Sequence, residues 1–224
     1  MKRILQIILT IIFFSGCDGN YDYVRFETAQ PQGKKELNRF DNNIQGIYAS
    51  CDNSNKVLII SDDLILKRYH WFFKIHRNDL DLDSTITIDL TDDDALIKLF
   101  EKENYTIKIE GDTLSGMTQD IDTIFQISDT QILKKIKGSY FLNYQEDENY
   151  WRVNRLDLRK DSLFMGYITP TDTLLQFDFV TKNQEINQDS STTTEYVINP
   201  TKKEFKQMVK KDAFNSTTCY YRKE

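Results

Sequence analysis

LILKRYHWFFKIH (64–76) is the stretch whose reading decides the fold class. Its second half alternates. Tyr69, Trp71, Phe73 and Ile75 fall on one side, and Arg68, His70, Phe72, Lys74 and His76 on the other. Successive side chains of a strand point to opposite faces, so this period of two predicts an extended strand. The Tyr69–Ile75 set is its expected core face.

Similar runs lie on both sides. IQGIYASC (44–51) and KVLIIS (56–61) predict strands around a turn at 52–55, and STITIDL (84–90) predicts another. TDDDALIKLFEKEN (91–104) changes period: Thr91 is the expected N-cap, Asp92 to Asp94 suit the positive helix start, and Leu96, Leu99 and Phe100 share a face. YTIKIEG, TLSGMTQ and TIFQIS predict three strands with a turn at 110–112. GSYFLNY (138–144) repeats the Gly-x-Tyr start of GIYASCD (46–52). YWRVNRLDLRK and SLFMGYIT predict a hairpin about 160–161. TTEYVIN (193–199), a helix beginning at Pro200-Thr201 with Thr201 and Glu204 at capping-box spacing, and TTCYYRK (217–223) complete the chain. The expected class is mainly β with two short helices, an α+β chain. It is built either as two related antiparallel β-rich modules, 44–134 and 135–224, or as one barrel-like sheet. Residues 17–43, polar and carrying Pro31 and Gly33, are expected to be a tether.

Composition agrees with ordered strands: 14 Phe and 12 Tyr stand against 8 Gly and 3 Pro. The formal net charge of −6 lacks the basic footprint on which nucleic-acid binding rests, so no nucleic acid is expected as a partner.

Chemistry-bearing motifs are sparse. His70 and His76 lie six apart on one strand, roughly 20 Å at about 3.3 Å per residue, too far to share an ion. Asp79, Asp81 and Asp83 alternate and offer at most a weak Ca²⁺ face. No zinc spacing, Walker loop, GxSxG elbow or GxGxxG occurs. Neither a catalytic residue, a metal ligand nor a cofactor is expected. Three functions fit: a non-catalytic binding, assembly or inhibitor module; a β-barrel carrier of a small apolar ligand; and a hydrolase on paired carboxylates.

The chain begins MKRILQIILTIIFFSGCDGN. Lys2 and Arg3 precede an apolar run from Ile4 to Phe14, too short to span a bilayer and shaped like a secretory signal. Phe14-Ser15-Gly16-Cys17 resembles the bacterial lipobox, with Phe14 in place of the usual Leu. The resemblance implies cleavage between Gly16 and Cys17, removal of 1–16, and acyl chains on the Cys17 thiol. Two or three chains anchor a protein stably where one binds only marginally. With Gln30-Pro31-Gln32-Gly33, the Gly-x-Tyr starts and the helix start at 200–205, the chain resembles small Bacteroidetes-type lipoproteins. That implies a cell-envelope protein in the outer membrane, its leaflet open, with the membrane and another envelope protein as partners. Lipidation leaves Cys51 and Cys219 as an even pair, either bridged in an oxidising compartment or serving as buried thiols. Cys17→Ser is expected to abolish fatty-acid labelling and the maturation shift on a gel. Normal labelling of that variant contradicts the anchor.

Overall fold

The structure is a computed structural model that describes residues 23–80, 82, 86, 88–169, 177–181, 183–187 and 194–223. These residues form fourteen strands: β1 (Tyr23–Phe26), β2 (Glu36–Leu37), β3 (Gly46–Ser50), β4 (Lys56–Ile60), β5 (Leu64–His76), β6 (Thr106–Glu110), β7 (Thr113–Gln126), β8 (Gln131–Ile136), β9 (Ser139–Gln145), β10 (Trp151–Arg159), β11 (Ser162–Tyr167), β12 (Asn183–Asn187), β13 (Thr194–Ile198) and β14 (Ser216–Arg222). Two helices, α1 (Asp93–Lys102) and α2 (Lys202–Lys210), join them. The chain is therefore mainly β with two short helices. The sheet is not closed into a barrel.

Two compact units result. The larger combines the described residues up to Arg68 with those from Asp122 onward, and the smaller runs Tyr69–Ile121. This division differs from the expected modules, whose 134/135 boundary falls inside β8. The strands that follow the two helices also pair differently. β6 pairs with β7, whereas β14 pairs with β11 and β3.

In the larger unit β10 is the branch point. It pairs antiparallel with β9 along one edge (Arg152↔Tyr144), and with β1 (Trp151↔Phe26) and β11 (Leu156↔Met165) elsewhere. β9 continues to β8 and β2, β1 to β13 and β12, and β11 to β14, β3 and β4. The β1–β13 pairing is parallel (Val24↔Tyr196, Phe26↔Ile198).

β9 explains why two cores form. Six of its seven residues are buried, so both faces are covered. Tyr140, Leu142 and Tyr144 enter one cluster with Phe40, Tyr48, Leu58 and Phe125. Phe141 enters the other with Phe26, Phe205, Met208 and Phe214, where its ring meets Phe205 edge-on at 4.9 Å. Each such side chain contributes about 1.5–3 kcal/mol by leaving water. The second core needs α2, whose capping box is complete: the Thr201 hydroxyl accepts from Glu204 N, and the Glu204 carboxylate accepts from Thr201 N at 2.7 Å.

The expected tether is ordered from Tyr23 onward. Val24 and Phe26 alternate into a core while Arg25 takes the other face, and Phe40 is fully buried. Another β9 side chain, Asn143, is fully buried and is the polar anchor of this segment. Its Oδ1 accepts from Gln30 N at 2.6 Å, and its Nδ2 donates to Gln30 O at 2.9 Å and Ile132 O at 3.0 Å. Lys134 Nζ donates to Ala29 O at 2.9 Å, and burial pushes the Lys134 ammonium pKa down.

Cys51 and Cys219 are joined by a disulfide with Cα atoms 5.4 Å apart and 168 positions between them in sequence. β3 and β14 are neighbours (Tyr220↔Ser50), and Cys51 N donates to Cys219 O at 2.9 Å. On chain entropy alone, a loop of this length gives up to about 5 kcal/mol. Gly46, at the start of β3, has φ +145°. A Cβ there would stand 3.1 Å from Arg222 Nη1, which donates to Gln45 O. Gly138, opening the second Gly-x-Tyr, also has positive φ, +90°.

Several expectations in and next to the smaller unit are corrected. Trp71 is 51% exposed rather than core; its ring stacks on Tyr69 and its Nε1 donates to Asp120 Oδ2 at 2.8 Å. Phe73 does pack, against Phe100 and Tyr105. The strands expected over 113–119 and 123–128 are one continuous strand, β7. The N-cap of α1 is Asp92, not Thr91, and accepts from Ala95 N at 3.0 Å. The strand expected at 84–90 falls partly outside the described residues, and none of its described residues is in a strand.

Asn143→Ala leaves Gln30 N and O buried without partners and is expected to destabilise the fold by roughly 2–4 kcal/mol. Urea unfolding of the two proteins checks this; equal midpoints contradict it.

Candidate functional site

Strand register builds a row of three side chains in the larger unit. Gln131 of β8 pairs with Tyr144 of β9, and Tyr144 pairs with Arg152 of β10. Directly opposed residues share a face, so Tyr144 sits between an amide and a guanidinium. The Arg152 guanidinium lies over the Tyr144 ring, 4.8 Å from its centre.

A groove of about 670 Å³ opens over this row, within the usual range for a ligand site. β1 adds Val24 and Arg25, the turn into β8 adds Thr130, and the end of β9 adds Gln145 and Glu146. The turn between β9 and β10 is fixed by Asp147, whose Oδ1 accepts from Asn149 N at 2.8 Å and Tyr150 N at 2.9 Å. Glu146 N donates to Tyr150 O at 3.0 Å. This turn places Glu146 between two cations. Its Oε2 lies 3.2 Å from Arg25 Nε, and its Oε1 lies 3.1 Å from Arg152 Nε. Asp147 Oδ2 accepts from Arg25 Nη1 at 3.3 Å.

Tyr144 is 9% exposed, and its ring meets Phe125 edge-on at 5.4 Å. Burial pushes its phenol up to about 12, against the opposing influence of the Arg152 charge and a hydrogen bond with Asn154. The ring therefore stays neutral at ordinary pH and holds a constant π face under Arg152.

A second hollow, of about 140 Å³, lies by β10 and β11. Its Arg155 and Arg159 both contact Asp157 Oδ2, at 2.8 and 3.4 Å. Arg155 and Asp157 are largely buried there, so this ion pair belongs to the packing of the sheet.

The residues expected from sequence lie elsewhere. Gly16 and Cys17 fall outside the described residues, as do Asp81 and Asp83. The Cys51–Cys219 bridge is a staple between strands. His76 Nδ1 accepts from Asn78 N at 3.2 Å and caps the short 3₁₀ turn at 77–79, while the His70 ring stacks on Phe72. Asp79 sits in that turn. Among the described residues, no three His, Cys, Asp or Glu side chains group as metal ligands.

Sequence reasoning passed over Arg25, Gln131, Tyr144, Glu146 and Arg152. The available signal was weak. Arg25 is a charge between two alternating apolar residues, and Glu146 and Asp147 form an acidic turn flanked by Tyr144, Tyr150 and Arg152. No protein-family model, curated protein or solved structure matches the chain. Among the described residues, no helix is long and apolar enough to cross a membrane.

Proposed function

We propose that the chain is a non-catalytic binding module of the cell envelope. Acyl chains on Cys17 anchor it, in the outer membrane, and it meets another envelope protein at the Arg25–Arg152 groove. The observation that carries this reading is the shared carboxylate: Glu146 stands within 3.2 Å of both guanidinium groups. Charges fixed in this way present a preformed surface, and preorganisation lowers the ordering cost of binding. The large aromatic side chains of the larger unit fill its two cores, which favours a surface groove over an enclosed ligand cavity. The lipobox resemblance at Ser15-Gly16-Cys17 supports the anchor.

Thr130 is exposed, and its backbone carbonyl, not its side chain, holds Gln145 N at 2.8 Å. Thr130→Trp is therefore expected to fill the groove without disturbing the sheet. Wild-type chain, cross-linked in cells and purified from solubilised envelope, is expected to retain a specific partner that Thr130→Trp loses. Retention of the same partner by both proteins contradicts the groove reading.

A further inference from the structure

The groove has an imbalance between donors and acceptors. Both oxygens of Glu146 face guanidinium nitrogens. Both oxygens of Asp147 are also engaged, by Arg25 Nη1 and by two backbone amides of its own turn. Gln131 Oε1 accepts from Gln126 N at 2.8 Å. Because that partner can only donate, the Gln131 amide is oriented with Nε2 as its remaining group. On the donor side, Arg152 Nε stands 3.1 Å from Glu146 Oε1 as an ion pair, and among the described residues no hydrogen bond occupies Nη1 or Nη2. Its side chain is 54% exposed. Gln131 Nε2 has no hydrogen-bond partner among the described residues either. Two guanidiniums and one carboxylate line the groove, and the Asp147 carboxylate, 3.3 Å from Arg25 Nη1, balances the second guanidinium.

We infer that the groove receives an oxyanion of its ligand, a carboxylate or a phosphate group, on the Nη1/Nη2 edge of Arg152, with Gln131 Nε2 as a second donor. This inference rests on the binding-module reading and specifies its chemistry. A guanidinium edge offers two parallel N–H donors whose spacing matches the two oxygens of a carboxylate or phosphate, and such charge-assisted pairs are stronger than neutral ones. Arg152 is pre-set for this role. Glu146 pairs with it electrostatically and Tyr144 supports its plane, so part of its side-chain freedom is already lost before binding. The ligand's acceptor oxygens supply what the walls lack, and water leaves a cation that is already flanked by an aromatic ring.

The test uses the full chain in detergent and follows the arginine Nε–Hε resonances by NMR. The probes are glutarate, its neutral counterpart glutaramide, and inorganic phosphate. A saturable shift at Arg152 with glutarate, phosphate or both is expected, and none with glutaramide. Glutarate alone identifies a carboxylate, phosphate alone a phosphoryl group, and both a general oxyanion site. Arg152→Lys keeps the charge and loses the fork, and is expected to weaken the anion at least about tenfold; Arg152→Ala abolishes the binding. Arg152 is half exposed, so both variants are expected to fold, and thermal unfolding verifies this. If Arg152→Ala does not fold, the wild-type and Arg152→Lys titrations still decide. No saturable Arg152 shift with either anion, an equal response to glutaramide, or unchanged anion affinity in Arg152→Lys overturns the assignment. Loss of partner capture by Thr130→Trp without any oxyanion response overturns the oxyanion and leaves the binding reading standing. Capture that persists in Thr130→Trp removes the binding reading itself.

Discussion

The amide of Asn143 is the contact on which the rest of the larger unit depends. A strand buried on both faces has no water for a polar side chain, so Asn143 must find its partners inside. It finds them on the backbone of Gln30, accepting from the N–H and donating to the carbonyl, and so treats that residue as a neighbouring strand would. The consequences spread outward. Segment 23–43 is held on the β9 sheet, Phe26 and Phe40 enter the two cores, and β1 supplies the edge on which β13 and β12 build. Arg25 reaches the groove from β1, which β10 and β13 hold as well.

The groove is thus a product of register. Gln131, Tyr144 and Arg152 come from three strands, and only the pairings of β8 with β9 and β9 with β10 bring them into one row. The tight β9–β10 turn then places Glu146 against two guanidiniums. A shift of one residue in either pairing would send Tyr144 to the opposite face from its row and separate the cation from its ring. The site and the core are consequently stabilised by the same strand, β9.

Elements with strong local signals were legible in the sequence. The bounds of β5 follow from the flanking Asp62-Asp63 and the apolar–polar alternation, α2 begins where Thr201 and Glu204 sit at capping-box spacing, and the β10–β11 hairpin turns at Lys160, where φ is +56°. Other features depend on partners remote in sequence. Periodicity shows that Tyr69, Trp71 and Phe73 share a face but not how far a covering layer extends, and Trp71 lies where there is little cover. β1 is four residues long among polar neighbours, too short for a pattern, and its order comes from β10, β13 and Asn143. The groove was least legible because no local spacing encodes a row formed across three strands. The Cys51–Cys219 pairing stood between: the count leaves an even pair, but its geometry needs two strands remote in sequence, β3 and β14, to be neighbours.

Whether the amino-terminal segment is part of the fold or a strap lying on it is read most directly from native-state amide hydrogen exchange. Core amides exchange only through large openings, whereas frayed segments exchange nearly freely. The Gln30 amide, bonded to a fully buried side chain, is predicted to exchange as slowly as the amides of β9 and with the same dependence on denaturant. Rapid exchange at Gln30 and across 24–26, with β9 still protected, would contradict the account and return this segment to the role of a tether.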